Sequence, residues 1–336
     1  MDRVLSAAGA ALGVELTGVR ELSRGRSLVL RALAGDRPVV VKAPLETGPG
    51  PARELAALRV LGGVPGAVPL LAEADDPPVL VLADLGDGPS LADALLGGDP
   101  AVAEAALGDW AETLGRLQAA SADRGDAFAT GLGSLPPDTS ADALASAAEA
   151  LAPLLPQLGV RPSAAALDEL RGLRVGGPAA LTPGDACPDN NVLTQDGYVL
   201  IDFEWAEFRP VARDAAYLRV PWPTCWCSWA LPDEVVERAL DRWRAVIGPL
   251  PPDFDVELDR ATLAWTFIST GFFLPRILDG TDHVQNRAGP VRRAFLHHRL
   301  RTAPGDGPLA DLAAETLAAL VRTQDAHPLD LAPAFR

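Results

Sequence analysis

Cysteine is scarce in this sequence, with Cys187, Cys225 and Cys227 the only three in 336 residues. Three thiols build no disulfide framework and suit a reducing compartment. Cys225 and Cys227 have one residue between them, short of the two to four that separate paired zinc ligands, so no zinc module is expected. The four histidines, His283, His297, His298 and His327, all fall late and fit surface or core roles. Lysine, methionine and tyrosine are few, while Ala, Gly, Pro, Arg and Asp are plentiful, a bias of base composition with little to say about function. No long apolar run is present: residues 265–274, the most apolar segment, are too short and too interrupted by Thr, Ser and Gly to cross a bilayer. The first residues lack a basic region followed by an apolar core, so no signal peptide is read. Basic residues number 29 against 45 acidic ones, and the net charge of -16 argues against a nucleic-acid surface. The expectation is a cytoplasmic protein with no membrane or nucleic-acid partner.

The chain is long enough for two domains or one large bilobal one, and can bury a sizeable core. Residues 2–13 carry apolar side chains at helical spacing, and residues 15–22, 28–33 and 38–42 read as strands of a meander. Three valines precede Lys42, suggesting a strand covered on both faces, with a lysine at its end that must meet solvent or a negative partner. A helix follows at 52–61 with Leu55, Leu58 and Leu61 inward and Glu54 in its first turn, placed to pair with Lys42. Two more strands, near 68–72 and 79–82, run into a Gly/Asp/Pro hinge that predicts a boundary between residues 1–84 and 85–336. Ser90 reads as an N-cap, and Leu107, Trp110, Leu114 and Leu117 stripe a helix at 101–121. Residues 122–175 are Ala/Leu-rich without a motif, and helices return near 233–247, 256–278, 290–301 and 309–323.

Residues 181–204 concentrate carboxylates and amides. Two short apolar strands flank Gln195-Asp196-Gly197, a hairpin turn. A hairpin symmetric about Asp196 sets Asn190 opposite Asp202, with Asp185 just upstream. Opposed residues of an antiparallel pair have Cβ atoms about 5 Å apart, and hard oxygens so placed suit Mg²⁺ together with substrate phosphates.

In this order, the strand lysine, helix glutamate, hinge, Gly184-Asp185-Ala-Cys-Pro-Asp-Asn190 and Ile201-Asp202-Phe203 resemble the aminoglycoside phosphotransferase family. That family lies within the protein-kinase-like fold, which also holds choline and fructosamine kinases. Asp214 to Tyr217 is similar to the family as well. The resemblance implies a bilobal α+β fold: a small N-terminal antiparallel-sheet lobe with one helix, and a larger, mostly helical C-terminal lobe. It implies an ATP-dependent kinase, GTP being left open, that phosphorylates a hydroxyl of a small molecule. Asp185 would be the catalytic base, and Asn190 and Asp202 the Mg²⁺ ligands. Lys42 would contact the α/β-phosphates and Glu54 would hold Lys42. Ser23, Gly25 and Ser27 would cover the phosphates, and the backbone of Leu82, Ala83, Asp84 and Leu85 would face the adenine. Asp189 and Glu204 are read as solvated neighbours, and Asp214 as a brace of the catalytic loop through backbone hydrogen bonds. Trp222, Trp226 and Trp229 are read as core rather than acceptor pocket. The family usually places His before Gly-Asp, where this chain has Pro183. The alternative is a catalytically silent nucleotide-binding or regulatory protein, for which Pro183 is the main hint.

Overall fold

The computed structural model describes residues 1–282 and 289–336, so His283 lies outside the described residues. The chain opens with α1 (Asp2–Leu12) and a five-stranded antiparallel sheet of β1 (Leu16–Arg24), β2 (Ser27–Ala34), β3 (Arg37–Pro44), β4 (Leu70–Asp75) and β5 (Pro78–Ala83), in the order β1-β2-β3-β5-β4. Helix α2 (Gly50–Val60) connects β3 to β4. It starts two residues before the expected position because Pro51 suits the first helical turn, and Glu54 therefore lies past that turn rather than in it.

Strand alternation decides which side chains meet the site. Leu28, Leu30 and Ala32 of β2 and Val39, Val41 and Ala43 of β3 are buried together in one apolar cluster, which α1 joins through Ala8. The alternate residues Val29, Arg31, Val40 and Lys42 face the opposite way, into a cleft. The three-valine run is therefore divided between a core face and a cleft face, as period-2 geometry requires, and is not buried on both. Val40 shares its face with Lys42.

The second lobe is helical. Ser90 caps α3 (Leu91–Leu95) in a capping box with Asp93. Helix α4 (Pro100–Ser121) buries Leu107, Trp110, Leu114 and Leu117, the stripe that its periodicity announces. Each such leucine contributes about 1.5–3 kcal/mol of hydrophobic stabilisation. Residues 122–175 form α5 (Gly125–Leu132), α6 (Ser140–Leu154) and α7 (Ala164–Gly172), with a 3₁₀ turn between the last two. Two small ladders then build the site. Strand β6 (Ala179–Thr182) pairs with β9 (Glu207–Pro210), and β7 (Asn191–Thr194) with β8 (Gly197–Leu200). The chain ends in α8 (Ala212–Ala215), α9 (Asp233–Ile247), α10 (Phe254–Leu278), α11 (Arg292–Arg301) and α12 (Pro308–Gln324). Among the described residues α10 is the one helix long and apolar enough to cross a membrane, and 67% of its most apolar window is buried inside the protein.

The lobes share backbone as well as side chains. Val68 N–H donates to Leu200 O at 3.1 Å and Leu200 N–H donates to Gly66 O at 2.8 Å, tying the linker before β4 to the hairpin that carries the acidic loop.

Candidate active site

Lys42 is the single lysine of the chain. It lies on β3 between β2 and β5, opposite Val29 and Leu80. Its Nζ is 2.7 Å from Glu54 Oε2 and 2.7 Å from Asp202 Oδ1. Burial alone would depress the ammonium pKa, but the two carboxylates outweigh it and hold Lys42 above its ordinary value. Burial pushes the Glu54 carboxyl up while Lys42 pulls it down. Two carboxylates against one ammonium leave the group short of positive charge, a local deficit suited to a further cation. Asp202 reaches Lys42 from a left-handed backbone with φ of 64°, a conformation that strains a non-glycine residue and persists only where its surroundings impose it.

The hairpin that delivers Asp202 differs in register from its expected form. Thr194 pairs with Gly197 and Asn191 with Leu200, so the loop is the two residues Gln195 and Asp196. Asn190 then faces Ile201, whose N–H donates to Asn190 O at 3.0 Å. Gly197, with φ of 110°, follows the two loop residues in a backbone conformation that favours glycine. Asn190 and Asp202 still line the same cleft.

That cleft holds about 630 Å³. The structure brings to its wall Lys42, Glu54, Asn190 and Asp202 together with Ser23, Gly25, Ser27, Leu82, Ala83, Asp84 and Leu85. Asp185 is not on that wall but joins it through Asn190, whose Nδ2 donates to Asp185 O at 2.9 Å. This bond leaves the Asn190 amide oxygen as the donor to a metal. A carboxylate and an amide oxygen lining one cleft fit Mg²⁺, which takes few protein oxygens. Gly25 has open space where a Cβ would stand, so its turn does not require glycine. Arg26, in the same turn, pairs with Glu204. Glu204 is thus an ion-pair partner rather than a merely solvated group, and burial raises its pKa.

Among the described residues, the Gly184-Asp185 loop between β6 and β7 is held by groups other than histidine. Gly184 has φ of 75°, and a Cβ there would overlap the Trp205 carbonyl oxygen, so only glycine fits. The Gly184 N–H donates to Thr182 Oγ1 at 3.0 Å. The Gly184 carbonyl accepts from Tyr217 Oη at 2.9 Å and from Arg209 Nη2 at 3.2 Å. Arg209 in turn pairs with Asp214 at 2.5 Å and Glu207 at 2.8 Å, and Gln118 Nε2 donates to Asp214 at 2.9 Å. Burial alone would depress Arg209, but Asp214 and Glu207 outweigh it and keep the guanidinium charged. Burial pushes the Tyr217 phenol up, which keeps it a donor. Asp214 therefore braces the loop through the Arg209 side chain, not through backbone hydrogen bonds. Asn191 accepts from Leu91 N–H at 2.9 Å and donates to Pro188 O at 3.0 Å, stitching the loop to α3.

Asp185 Oδ1 accepts from Thr224 Oγ1 at 2.5 Å and from Cys187 Sγ at 3.2 Å. Burial raises the Asp185 pKa, and these two donors pull it back. Asp189, read as solvated, accepts from Trp226 Nε1 at 2.6 Å. Trp222 is fully buried against Trp110, as expected of core, whereas Trp226 is half-buried beside the loop. Arg31 was not legible as a site residue: its Nε lies 2.7 Å from Asp84 Oδ2, and its Nη2 donates to Gly86 O at 3.0 Å, clamping the hinge onto β2. Its parity with Val29 was the available signal. Thr224 carried none, lying 39 positions from Asp185.

A family model, the phosphotransferase enzyme family, matches residues 18–253. The chain belongs to that family. Among solved structures, it is similar to a Ralstonia eutropha protein provisionally named an aminoglycoside phosphotransferase, with 15% identity, TM-score 0.62, and 95% of this chain and 98% of the other covered. The macrolide 2'-phosphotransferase MphH of Brachybacterium faecium gives 16% identity and TM-score 0.54 over 91% of this chain and all of its own. A choline/ethanolamine kinase family protein of Mesorhizobium loti gives 15% identity and TM-score 0.54 over 89% and 92%. No curated protein sequence matches the chain. The fold of this phosphotransferase is the bilobal, protein-kinase-like α+β fold, as the order of motifs implied.

Proposed function

We propose that this small-molecule kinase transfers the γ-phosphate of ATP to a hydroxyl of its acceptor, with residues 1–84 and 85–336 as the two lobes about the nucleotide. The observation that carries the reading is the single lysine bridging Glu54 and Asp202 inside a cleft that Asn190 also lines. Phosphoryl transfer asks for positioning and charge neutralisation more than covalent chemistry. Lys42, oriented by Glu54, contacts the α/β-phosphates. The hinge 82–85 receives the base, and the turn 23–27 covers the phosphates. Asn190 and Asp202 supply the oxygens for Mg²⁺, which when bound neutralises phosphate charge. Asp185 orients the acceptor hydroxyl and takes its proton as the oxygen attacks phosphorus. The acceptor hydroxyl replaces that of Thr224 on Asp185 Oδ1, so Thr224 marks where the acceptor enters. ATP chemistry and the unpaired thiols both suit a cytoplasmic setting.

The silent alternative loses its main hint, because Arg209 and Tyr217 hold Gly184 where the family would use histidine. A coupled ADP-release assay over aminoglycosides, macrolides, choline, ethanolamine and sugars tests the reading. Acceptor-dependent ADP formation that Asp185→Asn abolishes supports it. Mg-ATP binding with no Asp185-dependent turnover on any acceptor, and no slow hydrolysis, supports the silent alternative.

A further inference from the structure

The sequence offers no zinc-ligand spacing, yet the fold assembles one soft cluster. We propose that Cys187 Sγ, Cys225 Sγ and an Asp189 carboxylate oxygen form a site for a thiophilic divalent cation such as Zn²⁺, separate from the oxygen site of Asn190 and Asp202. The three ligand atoms lie within 4.8 Å of one another, and both thiols are buried. Tetrahedral zinc with Zn–S bonds of about 2.3 Å holds two sulfurs about 3.8 Å apart, so the cluster closes on an ion by shifts of about 1 Å or less.

Three further observations favour a ligand set over three bystanders. First, Trp226 Nε1 donates to Asp189 Oδ2 at 2.6 Å and so fixes the carboxylate, the kind of outer hydrogen bond that orients metal ligands. Second, the other oxygen, Asp189 Oδ1, is the one turned to Cys225, 3.8 Å from its Sγ. Third, two sulfurs and one oxygen select zinc or cadmium over magnesium, so the site and the phosphate site would not compete for the same ion. Binding displaces two thiol protons, one from each cysteine, and leaves a fourth position open.

The open position has a consequence for the reaction. Cys187 Sγ is 3.2 Å from Asp185 Oδ1, so an ion held here sits beside Asp185 and withdraws the Cys187 thiol proton from it. With its fourth position open, the ion can take the Asp185 carboxylate as a ligand, so zinc occupancy is expected to inhibit phosphoryl transfer.

Titrating the reduced full-length protein with Cd²⁺, in excess Mg²⁺, tests the site through the ultraviolet thiolate-to-cadmium charge-transfer band. The expected result is one equivalent bound with that band. Cys225→Ser lowers the band by half or more, Asp189→Asn weakens binding at least tenfold, and Cys227→Ser, outside the cluster, leaves both intact. Circular dichroism melts show that each variant is folded. No band in the native protein, or a band that Cys225→Ser does not change, overturns the site. A second arm, which alone rests on Asp185 as base, measures turnover with Zn²⁺. Inhibition in the native protein and resistance in Cys225→Ser are expected, and full activity with zinc bound overturns the placement beside Asp185.

Discussion

Lys42 Nζ donates to Asp202 Oδ1 at 2.7 Å across 160 positions of sequence. One ammonium thus joins β3 of the first lobe to Asp202, two residues past β8 in the second, and Glu54 completes the trio from α2. As the only lysine, it is also a unique chemical handle. An amine-reactive acylating reagent is expected to label Lys42 slowly, because the group is buried and paired, and Mg-ATP is expected to protect it. Peptide mass spectrometry reads the outcome. Labelling that nucleotide leaves unchanged would place the phosphates elsewhere.

The brace on Gly184 separates two kinds of loss. Tyr217→Phe deletes one hydrogen bond, and a stability decrease of about 0.5–1.5 kcal/mol is expected. Arg209→Met leaves Asp214 and Glu207 buried without their cation, and a decrease of about 3–5 kcal/mol is expected. Denaturant unfolding measures both, and equal effects would show that Arg209 is not the centre of the network.

The acid limb of activity should report Asp185. Its folded-state pKa is raised by burial, and the base works ionised, so kcat/KM falls as pH drops through a value above the ordinary ~3.9. The stability sign is opposite to that of a paired carboxylate. The folded state holds this proton more tightly than the unfolded chain does, so the stabilisation is full below the unfolded pKa and is lost as pH rises through the folded one. Thr224→Val removes a hydrogen bond that lowers the pKa, so the acid limb should move to higher pH. A limb that stays in place or moves down would remove Asp185 from the rate profile.

Gly184→Ala combines a φ of 75° with a Cβ that overlaps the Trp205 carbonyl oxygen. Left-handed backbone alone costs a non-glycine residue about 1–2 kcal/mol, and the overlap adds to it. Thermal unfolding is expected to shift down together with a loss of activity beyond that of Tyr217→Phe. An alanine variant with native melting and turnover would mean that the loop tolerates a different path.

Local pattern made much of this legible. The strand that ends in Lys42, the helix that carries Glu54 and the loop-and-hairpin order that carries Asn190 and Asp202 are properties of short segments, and the cleft collects these four residues while Asp185 stays off its wall. The hairpin register escaped because loops of two and three residues fit the same short apolar strands around Gln195-Asp196-Gly197. Arg31 on Asp84, Arg209 on Gly184 and Thr224 on Asp185 escaped because such contacts exist only once distant elements pack. Asp189 and Glu204 read as solvated for the same reason: their partners, Trp226 and Arg26, lie far along the chain.

Calorimetric titration of ATP, with and without Mg²⁺, into the native protein and Asp202→Asn tests the nucleotide site most directly. Magnesium-dependent binding in the native protein, weakened at least tenfold by the substitution, is the predicted result. Absence of nucleotide binding to the native protein, or equal affinity in the variant, would contradict the site built around Lys42 and Asp202.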